Sequence, residues 1–313
     1  MKYIFFINPT AGKGKAQKGI ISAIKEYFGK CGKEYEIVVT QYKGHAEKLS
    51  HEYAQTGEEI TCFACGGEGT GYEVVNGIIG YSNVNYGIIP CGSANDFVRG
   101  FGNNEAFLNI DAQINGVVVP IDVIKANDRY CINSCSVGMD AMVARDMKLF
   151  KNLPLVSGPL AYNLAIVKTF LKKFGVKIRL QVDEGELTNE NCLFAVIANA
   201  PYYGGGYMGA PDAFPFDGKL NFTKVDVISK LAVLGFLGKY KSGKHEEIDC
   251  CYHTDCEEMY FESDYVLPVN LDGEIVEANR MQFGIVKKAL NFVLPDGVKC
   301  GENILKGPVL NKI

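Results

Sequence analysis

Three glycine-rich stretches carry the residue types that handle phosphate. They are Asn8-Pro9-Thr10-Ala11-Gly12-Lys13-Gly14-Lys15, Gly66-Gly67-Glu68-Gly69-Thr70-Gly71-Tyr72-Glu73, and Pro90-Cys91-Gly92-Ser93-Ala94-Asn95-Asp96-Phe97. Small residues let backbone N–H groups approach a phosphate, and a helix that starts there favours negative charge. Taken singly, each stretch reads as ordinary turn chemistry. Each, however, follows a predicted parallel strand, and the carboxyl edge of such a sheet is where ligands bind. Three at one edge point to phosphate. Phosphoryl transfer to an alcohol also needs a base near the hydroxyl. Asp272 and Glu274 flank Gly273 in a predicted turn, and Asp96 follows the third stretch. Alone, the first pair reads as a surface turn, and Asn95-Asp96 as a helix N-cap.

Other chemistries are weakly supported. The spacing GxxxxGK[ST] is absent. The one GxGxxG, Gly204–Gly209, lacks a strand-to-helix setting and is followed by Pro211, so it is no dinucleotide fingerprint. Cys62 and Cys65 have CxxC spacing inside an apolar run and no second pair to complete a zinc site. Cys250, Cys251 and Cys256 lie near His253, a weak metal candidate.

The elements that must position these residues change character along the chain. Strands are expected at Tyr3–Ile7, Tyr35–Thr40, Glu59–Cys65 and Tyr86–Ile89, alternating with helices that run to about Phe28, to about Thr56 and through Val75. That alternation implies a parallel sheet covered by helices. From about Asp122 the runs become short and β-branched: 117–123, 130–134, 177–182, 192–198, 219–225, 258–261, 266–271 and 281–286. These read as an antiparallel β domain interrupted by helices at Leu160–Phe174 and Ser229–Tyr240. The expected division is an α/β domain over 1–122 and an antiparallel β domain over 123–294. Residues 295–313 are a candidate to complete the first.

Of the 313 residues, 47% are hydrophobic and 22% charged, as in a globular protein rather than a disordered or fibrous one. The 32 Lys+Arg against 36 Asp+Glu give −4, without the basic surplus of a nucleic-acid binder. Eleven scattered cysteines, an odd number, read as reduced thiols of a cytoplasmic protein rather than a disulfide scaffold. The start of the chain has an apolar core of five residues, against about 7–15 in a signal peptide. No run approaches the roughly 20 apolar residues of a membrane span. The expectation is a chain neither exported nor membrane-spanning.

Taken in order, the motifs resemble the diacylglycerol kinase catalytic domain family, and more narrowly the bacterial soluble lipid kinases, which are diacylglycerol- and sphingosine-kinase-like. The resemblance rests on Asn8-Pro9-x-x-Gly12-x-Gly14, on Thr40 with Gly44-His45-Ala46, and on Gly66–Thr70 with Glu73-Val74-x-Asn76-Gly77. It continues through Gly92-Ser93-x-Asn95-Asp96-Phe97, Asn133-x-x-x-x-Gly138-x-Asp140-Ala141, and Tyr203–Gly206 with Ala210-Pro211-x-Ala213. Asp217-Gly218-Lys219-Leu220 and Asp272-Gly273-Glu274 complete it, nearly the whole chain in the right order. It implies that 1–122 is an NAD kinase/diacylglycerol kinase-like α/β nucleotide-binding domain, that 123–294 is a β-sandwich lipid-substrate domain, and that ATP lies in the cleft between them. By position the nucleotide contacts would be Asn8, Pro9, Thr10, Ala11, Gly12, Thr40, Gly66, Gly67, Glu68, Gly69, Thr70, Gly71, Tyr72 and Ser93. Mg²⁺ would be held by the Asp217 carboxylate and the carbonyls of Phe214 and Lys219. Glu274 would be the general base, Asp272 would orient it or hold Mg²⁺, and Asp96 is a second acidic candidate. The sequence departs from the family at Glu68, where the motif has Asp, and at Tyr72, where it has Asn. Glu68 moves its carboxylate out by one methylene, and a misplacement of about 1 Å can cost about 10²-fold in rate. Ser93 in place of Thr keeps the hydroxyl.

Three functions therefore stand side by side: a lipid kinase, a soluble-substrate kinase of the NAD kinase type with a polar second-domain pocket, and a degenerate nucleotide- or lipid-binding protein. The helices at 160–174 and 229–240 combine apolar faces with lysines. They suit either a core helix with C-terminal lysines or a helix lying on an anionic membrane. The partners expected are a lipid at the inner membrane face, met peripherally, and no nucleic acid. A homodimer stays open, since no interface pattern stands out.

Overall fold

The computed structural model describes residues 1–298 and 311–312, apart from 93, 152, 154, 155, 157, 172–174 and 246. It divides into two compact units: Met1–Asp122 with Lys287–Ile313, and Val123–Val286. The return to the first unit falls at Lys287 rather than at residue 295.

In the first unit, β1 (Lys2–Ile7), β2 (Tyr35–Val39), β3 (Ile60–Gly66) and β4 (Val84–Pro90) form a parallel sheet in the order β2-β1-β3-β4. Asn291 and Phe292 then pair in parallel with Asn85 and Tyr86 of β4. Every residue of β3 is buried, as expected of a parallel strand covered on both faces. Phe5 and Phe6 point to opposite faces. Phe5 packs on Phe28 of α1 (Lys15–Cys31) at 5.6 Å, and Phe6 on Tyr53 of α2 (His45–Gln55) at 6.2 Å. A third helix, α3 (Glu68–Ile78), crosses α2 so closely that a Cβ on Gly77 would lie 2.0 Å from Ser50 Oγ. Three short helices follow: α4 (Asp96–Arg99), α5 (Asn104–Leu108) and α6 (Ile110–Ile114). Asn103 and Asn109 cap the last two with side-chain oxygens.

The chain leaves this unit within β5 (Val117–Ala126), which pairs antiparallel with β6 (Arg129–Cys131). The expected strand over 130–134 is two strands, because the backbone N–H groups of Ile132, Asn133 and Ser134 turn toward a buried carboxylate. After β7 (Ser134–Gly138) come α7 (Met139–Lys151), which periodicity did not single out, and α8 (Gly158–Leu171). The remainder is β8 (Val176–Val182), β9 (Thr188–Ala198), β10 (Leu220–Asp226), α9 (Lys230–Lys241), β11 (Cys251–Cys256), β12 (Glu258–Leu271) and β13 (Glu274–Leu294).

The antiparallel order is β11-β10-β9-β7-β12-β13, while β8 pairs with both β9 and β12. The strands expected at 258–261 and 266–271 are one strand, β12, with an irregularity between Glu262 and Leu267. That bend lets one half of β12 pair with β8 and the other with β7. A second core gathers Val143, Phe194, Val233, Phe236 and Tyr240. No helix among the described residues is long and apolar enough to cross a membrane.

Candidate active site

The three glycine stretches of the first unit fall side by side. They leave the carboxyl ends of β1, β3 and β4, adjacent strands whose last residues are in register: Ile7 beside Cys65, and Gly66 beside Pro90. Thr40 leaves β2 next to them and returns its N–H to Ile7 O at 2.9 Å.

Much of the side-chain chemistry on this rim holds the loops themselves. Asn8 Oδ1 accepts from the Thr10 N–H (3.0 Å) and hydroxyl (2.8 Å), and its amide donates to Thr70 Oγ1 at 3.3 Å. Cys91 N and Gly92 N both donate to Gly66 O at 3.0 Å. A Cβ on Gly92 would sit 2.5 Å from Gly67 Cα, so the second and third loops touch backbone to backbone. Gly67 caps α3 without a side chain, so Glu68, Gly69 and Thr70 lie in the first helical turn, not in a loose loop. Gly71 and Tyr72 are buried in the next turn. Pro9 and Ala11 are half-buried and Gly12 is exposed with φ +58°. Ser93 lies outside the described residues.

Glu68 uses its longer side chain within the rim: Oε1 accepts the Asp96 N–H at 3.3 Å. Asp96 is fully buried, and its Oδ1 lies 3.4 Å from Arg99 Nε. One rim residue carried no role in the sequence reading. Glu73 accepts the Gly44 N–H at 2.8 Å and the Ala46 N–H at 3.2 Å, capping α2 from a neighbouring helix.

In the second unit the acidic turn divides its labour. Asp272 is buried, with φ +48°, and its carboxylate accepts the N–H groups of Ile132 (2.6 Å), Asn133 (3.1 Å) and Ser134 (2.8 Å). Burial pushes its pKa up to about 6 against the pull of those three donors. With both oxygens bound to backbone, Asp272 anchors the turn. Glu274, half-buried, follows Gly273. The Gly273 N–H donates to Asn270 Oδ1 at 2.8 Å, and the Asn270 side chain also hydrogen-bonds Asp140.

Asp140 is the carboxylate of a small apolar pocket. Met139, Val143, Ile166, Phe194 and Leu237 line it, with the rings of Tyr203, Tyr207 and Tyr240. Burial raises the Asp140 pKa against hydrogen bonds from Ser136 and Asn270, and burial with the Asp140 charge raises that of Tyr207. The sequence motifs contained Asp140 and Tyr203. Their convergence with α8 and α9 is tertiary and had no local signal.

The turn expected to hold Mg²⁺ is exposed at Asp217 and Lys219, while Phe214 is half-buried. Asp217 Oδ1 accepts the Lys219 N–H at 3.0 Å, Phe214 O accepts the Phe216 N–H at 2.8 Å, and the Lys219 ammonium pairs with Asp255 at 2.7 Å. Its donors are one carboxylate and backbone carbonyls at the surface, an oxygen-only set compatible with a partly hydrated Mg²⁺. No group of three or more His, Cys, Asp and Glu among the described residues could hold a metal. The Cys250, Cys251, Cys256 and His253 grouping is not such a cluster; β11 carries the last three and puts Cys256 on the face opposite Cys251 and His253.

The chain thus joins a parallel α/β unit with three glycine loops on one rim and an antiparallel β unit with an acidic turn and an apolar pocket. Residues 2–126 match the diacylglycerol kinase catalytic domain, and residues 133–294 the YegS C-terminal NAD kinase beta sandwich-like domain. The chain belongs to this family of lipid kinases, and so to the phosphotransferases. It is 30% identical over 240 residues to a Shewanella frigidimarina protein named "Probable lipid kinase YegS-like", covering 75% of this chain and 76% of that one. It is 29% identical over 300 residues to a Staphylococcus carnosus protein named diacylglycerol kinase, covering 95% and 96%. Two solved Bacillus anthracis chains share the fold: one aligns with TM-score 0.74 at 22% identity, and one described as a diacylglycerol kinase with 0.67 at 19%. Each alignment covers 95% of this chain and 98% of the other.

Proposed function

We propose that the protein transfers the γ-phosphate of ATP to a hydroxyl of diacylglycerol or a related lipid. The observation that carries this reading is the pocket around Asp140. Its walls are apolar, it holds one carboxylate, and Asn270 links that carboxylate to the turn bearing Glu274. A soluble dinucleotide acceptor calls for polar walls, whereas the apolar lining here favours an acyl chain. In the reaction the lipid hydroxyl attacks the γ-phosphorus, its proton passes to the Glu274 carboxylate, and ADP leaves. Asp272 keeps Glu274 in register by fixing the backbone of the turn. The rim from Asn8 to Gly12, with Thr40, Gly66 to Tyr72 and Ser93, receives the nucleotide, and Glu68 and Asp96 hold the second and third loops in relation to each other. Mg²⁺, when bound, neutralises phosphate charge, and the Asp217 turn with the carbonyls of Phe214 and Lys219 is the place for a supporting ion.

The test is ATP turnover on detergent-dispersed diacylglycerol, sphingoid bases and phosphatidylglycerol, with NAD as a soluble control. The expected result is turnover on a glycerolipid, lowered about 10²- to 10⁴-fold by Glu274→Gln. Turnover on NAD alone would overturn the acceptor, and full activity of Glu274→Gln would overturn the base.

A further inference from the structure

Tyr203 lines the apolar pocket and is 3% exposed. Its hydroxyl is buried and has no hydrogen-bond partner among the described residues. A buried phenol normally finds a partner, and a hydroxyl left unpaired costs stability in the free protein. The hydroxyl is therefore a polar group held for a partner that the chain does not itself provide.

The surroundings fix where that hydroxyl sits. The Tyr203 N–H donates to Tyr207 O and the Tyr207 N–H to Tyr203 O, both at 3.0 Å. Between them run three left-handed glycines, Gly204 to Gly206, with φ from +62° to +98°. Tyr240 meets the Tyr203 ring edge-on at 6.2 Å. The hydroxyl end lies against Gly209, where a Cβ would collide with ring and hydroxyl alike. A ring held this way presents its oxygen in one position, as selective recognition requires.

Elementary chemistry selects the partner. A phenol donates readily, so the matching ligand atom is an acceptor. A carbonyl oxygen needs nothing more, whereas a ligand hydroxyl or ammonium brings about one to three donors of its own. Met139, Val143, Ile166 and Leu237 offer such donors no acceptor, and burying them unpaired is costly. The Asp140 carboxylate is already engaged by Ser136 and Asn270. A small pocket also suits the carbonyl at the head of an acyl chain better than the length of the chain.

We infer that the Tyr203 hydroxyl donates a hydrogen bond to an ester carbonyl of the lipid acceptor, so that the site selects acyl esters over the matching ethers. This deepens the lipid-kinase reading and rests on it for the identity of the ligand. Tyr203 thereby sets specificity and takes no part in proton transfer, which stays with Glu274.

The experiment compares detergent-dispersed dioctanoylglycerol with dioctylglycerol, its ether counterpart, and with sphingosine as a third ligand. Turnover is followed with ATP, and binding by calorimetry without it. Wild type is expected to favour the ester over the ether by about tenfold or more in kcat/KM, as one buried hydrogen bond allows. In Tyr203→Phe that ratio should fall to about one, through a raised KM for the ester. The ligand-free variant should melt at or above the wild-type temperature, because the substitution removes an unpaired buried hydroxyl. An unchanged ratio in Tyr203→Phe overturns the inference; a lowered melting temperature beside it would make the hydroxyl structural. A preference for sphingosine that Tyr203→Phe abolishes also overturns it, since the partner is then a hydroxyl or an ammonium. A wild type that phosphorylates ester and ether equally overturns the contact and leaves the kinase reading standing. A wild type that binds the ester selectively but phosphorylates none of the three overturns the kinase reading and leaves the contact standing.

Discussion

Asn270 ties Asp140 to the acidic turn: its side chain hydrogen-bonds Asp140, and its Oδ1 accepts the Gly273 N–H at 2.8 Å. One buried amide thus connects the Asp140 carboxylate of the apolar pocket to the residue before Glu274. Asn270→Leu removes both bonds at a site 9% exposed, leaving two polar groups without that partner. The expected outcome is a loss of about 2–4 kcal/mol in denaturant unfolding and a raised lipid KM with the ATP KM unchanged.

Asp272 presents a sharper case, because three N–H groups converge on one carboxylate. Asp272→Asn keeps the size but turns an amide NH₂ toward those donors. We expect unit 2 to lose about 2–4 kcal/mol of stability, with kcat falling because the Glu274 turn loosens. Hydrogen exchange at Ile132, Asn133 and Ser134 would report the loss directly. Unchanged protection there would show that the carboxylate is not the anchor.

Gly92→Ala tests the rim of the first unit. Its Cβ would meet Gly67 Cα at 2.5 Å, a backbone contact that no rotamer change relieves. The loops must part, and nucleotide affinity by calorimetry should fall about tenfold or more, since a shift of about 1 Å is costly in a preorganised site.

Glu68→Asp shortens the side chain that reaches the Asp96 N–H at 3.3 Å. It restores the family's residue type at that position. If the longer carboxylate is what joins the second and third loops here, the variant should bind ATP several-fold more weakly rather than better. Tighter binding or faster turnover would show instead that Glu68 is the defect.

His245 gives a pH signature. It is fully buried beside Tyr240, with ring centroids 4.3 Å apart, and burial pushes its pKa down to about 4. In the unfolded chain the imidazole titrates near 6.5. The unfolded state therefore binds the extra proton first as pH falls, and stability is lost between about 6.5 and 4. Each unit of difference is worth about 1.4 kcal/mol. The buried Asp272 works in the opposite sense between its unfolded value near 3.9 and about 6. The comparison must therefore be between wild type and His245→Phe, followed by thermal melting from pH 7 to pH 4.5. The gap between their melting temperatures should shift in favour of the variant as pH falls; a constant gap would remove the assignment.

The glycine rim was legible because parallel strands announce themselves as apolar runs and their loops by small residues. Four strands predicted from such runs all appear, within one or two residues. The roles on that rim were less legible. Asn8 and Thr70 look alike as nucleotide ligands in a motif, but their side chains bond each other, and Glu73 caps a helix 27 residues away in sequence. The helix α7 is not legible in the sequence because Asp140, Arg145, Asp146 and Lys148 interrupt its apolar residues. Strand β12 was read as two because its irregularity breaks the period of two.

By itself the sequence determined the parallel strands of the first unit, the glycine loops that follow them and the order of motifs that places the chain in its family. Those properties are local, set by periodicity, backbone freedom at glycine and residue type at short range. Only the tertiary structure decided that Asp272 faces backbone amides from 138–140 residues away, and that Asp140, Tyr203 and α9 close one pocket. It also decided that Leu231 and Leu234 stay uncovered. Such relations depend on which surfaces meet after the chain has folded, and no short window of residues encodes that meeting.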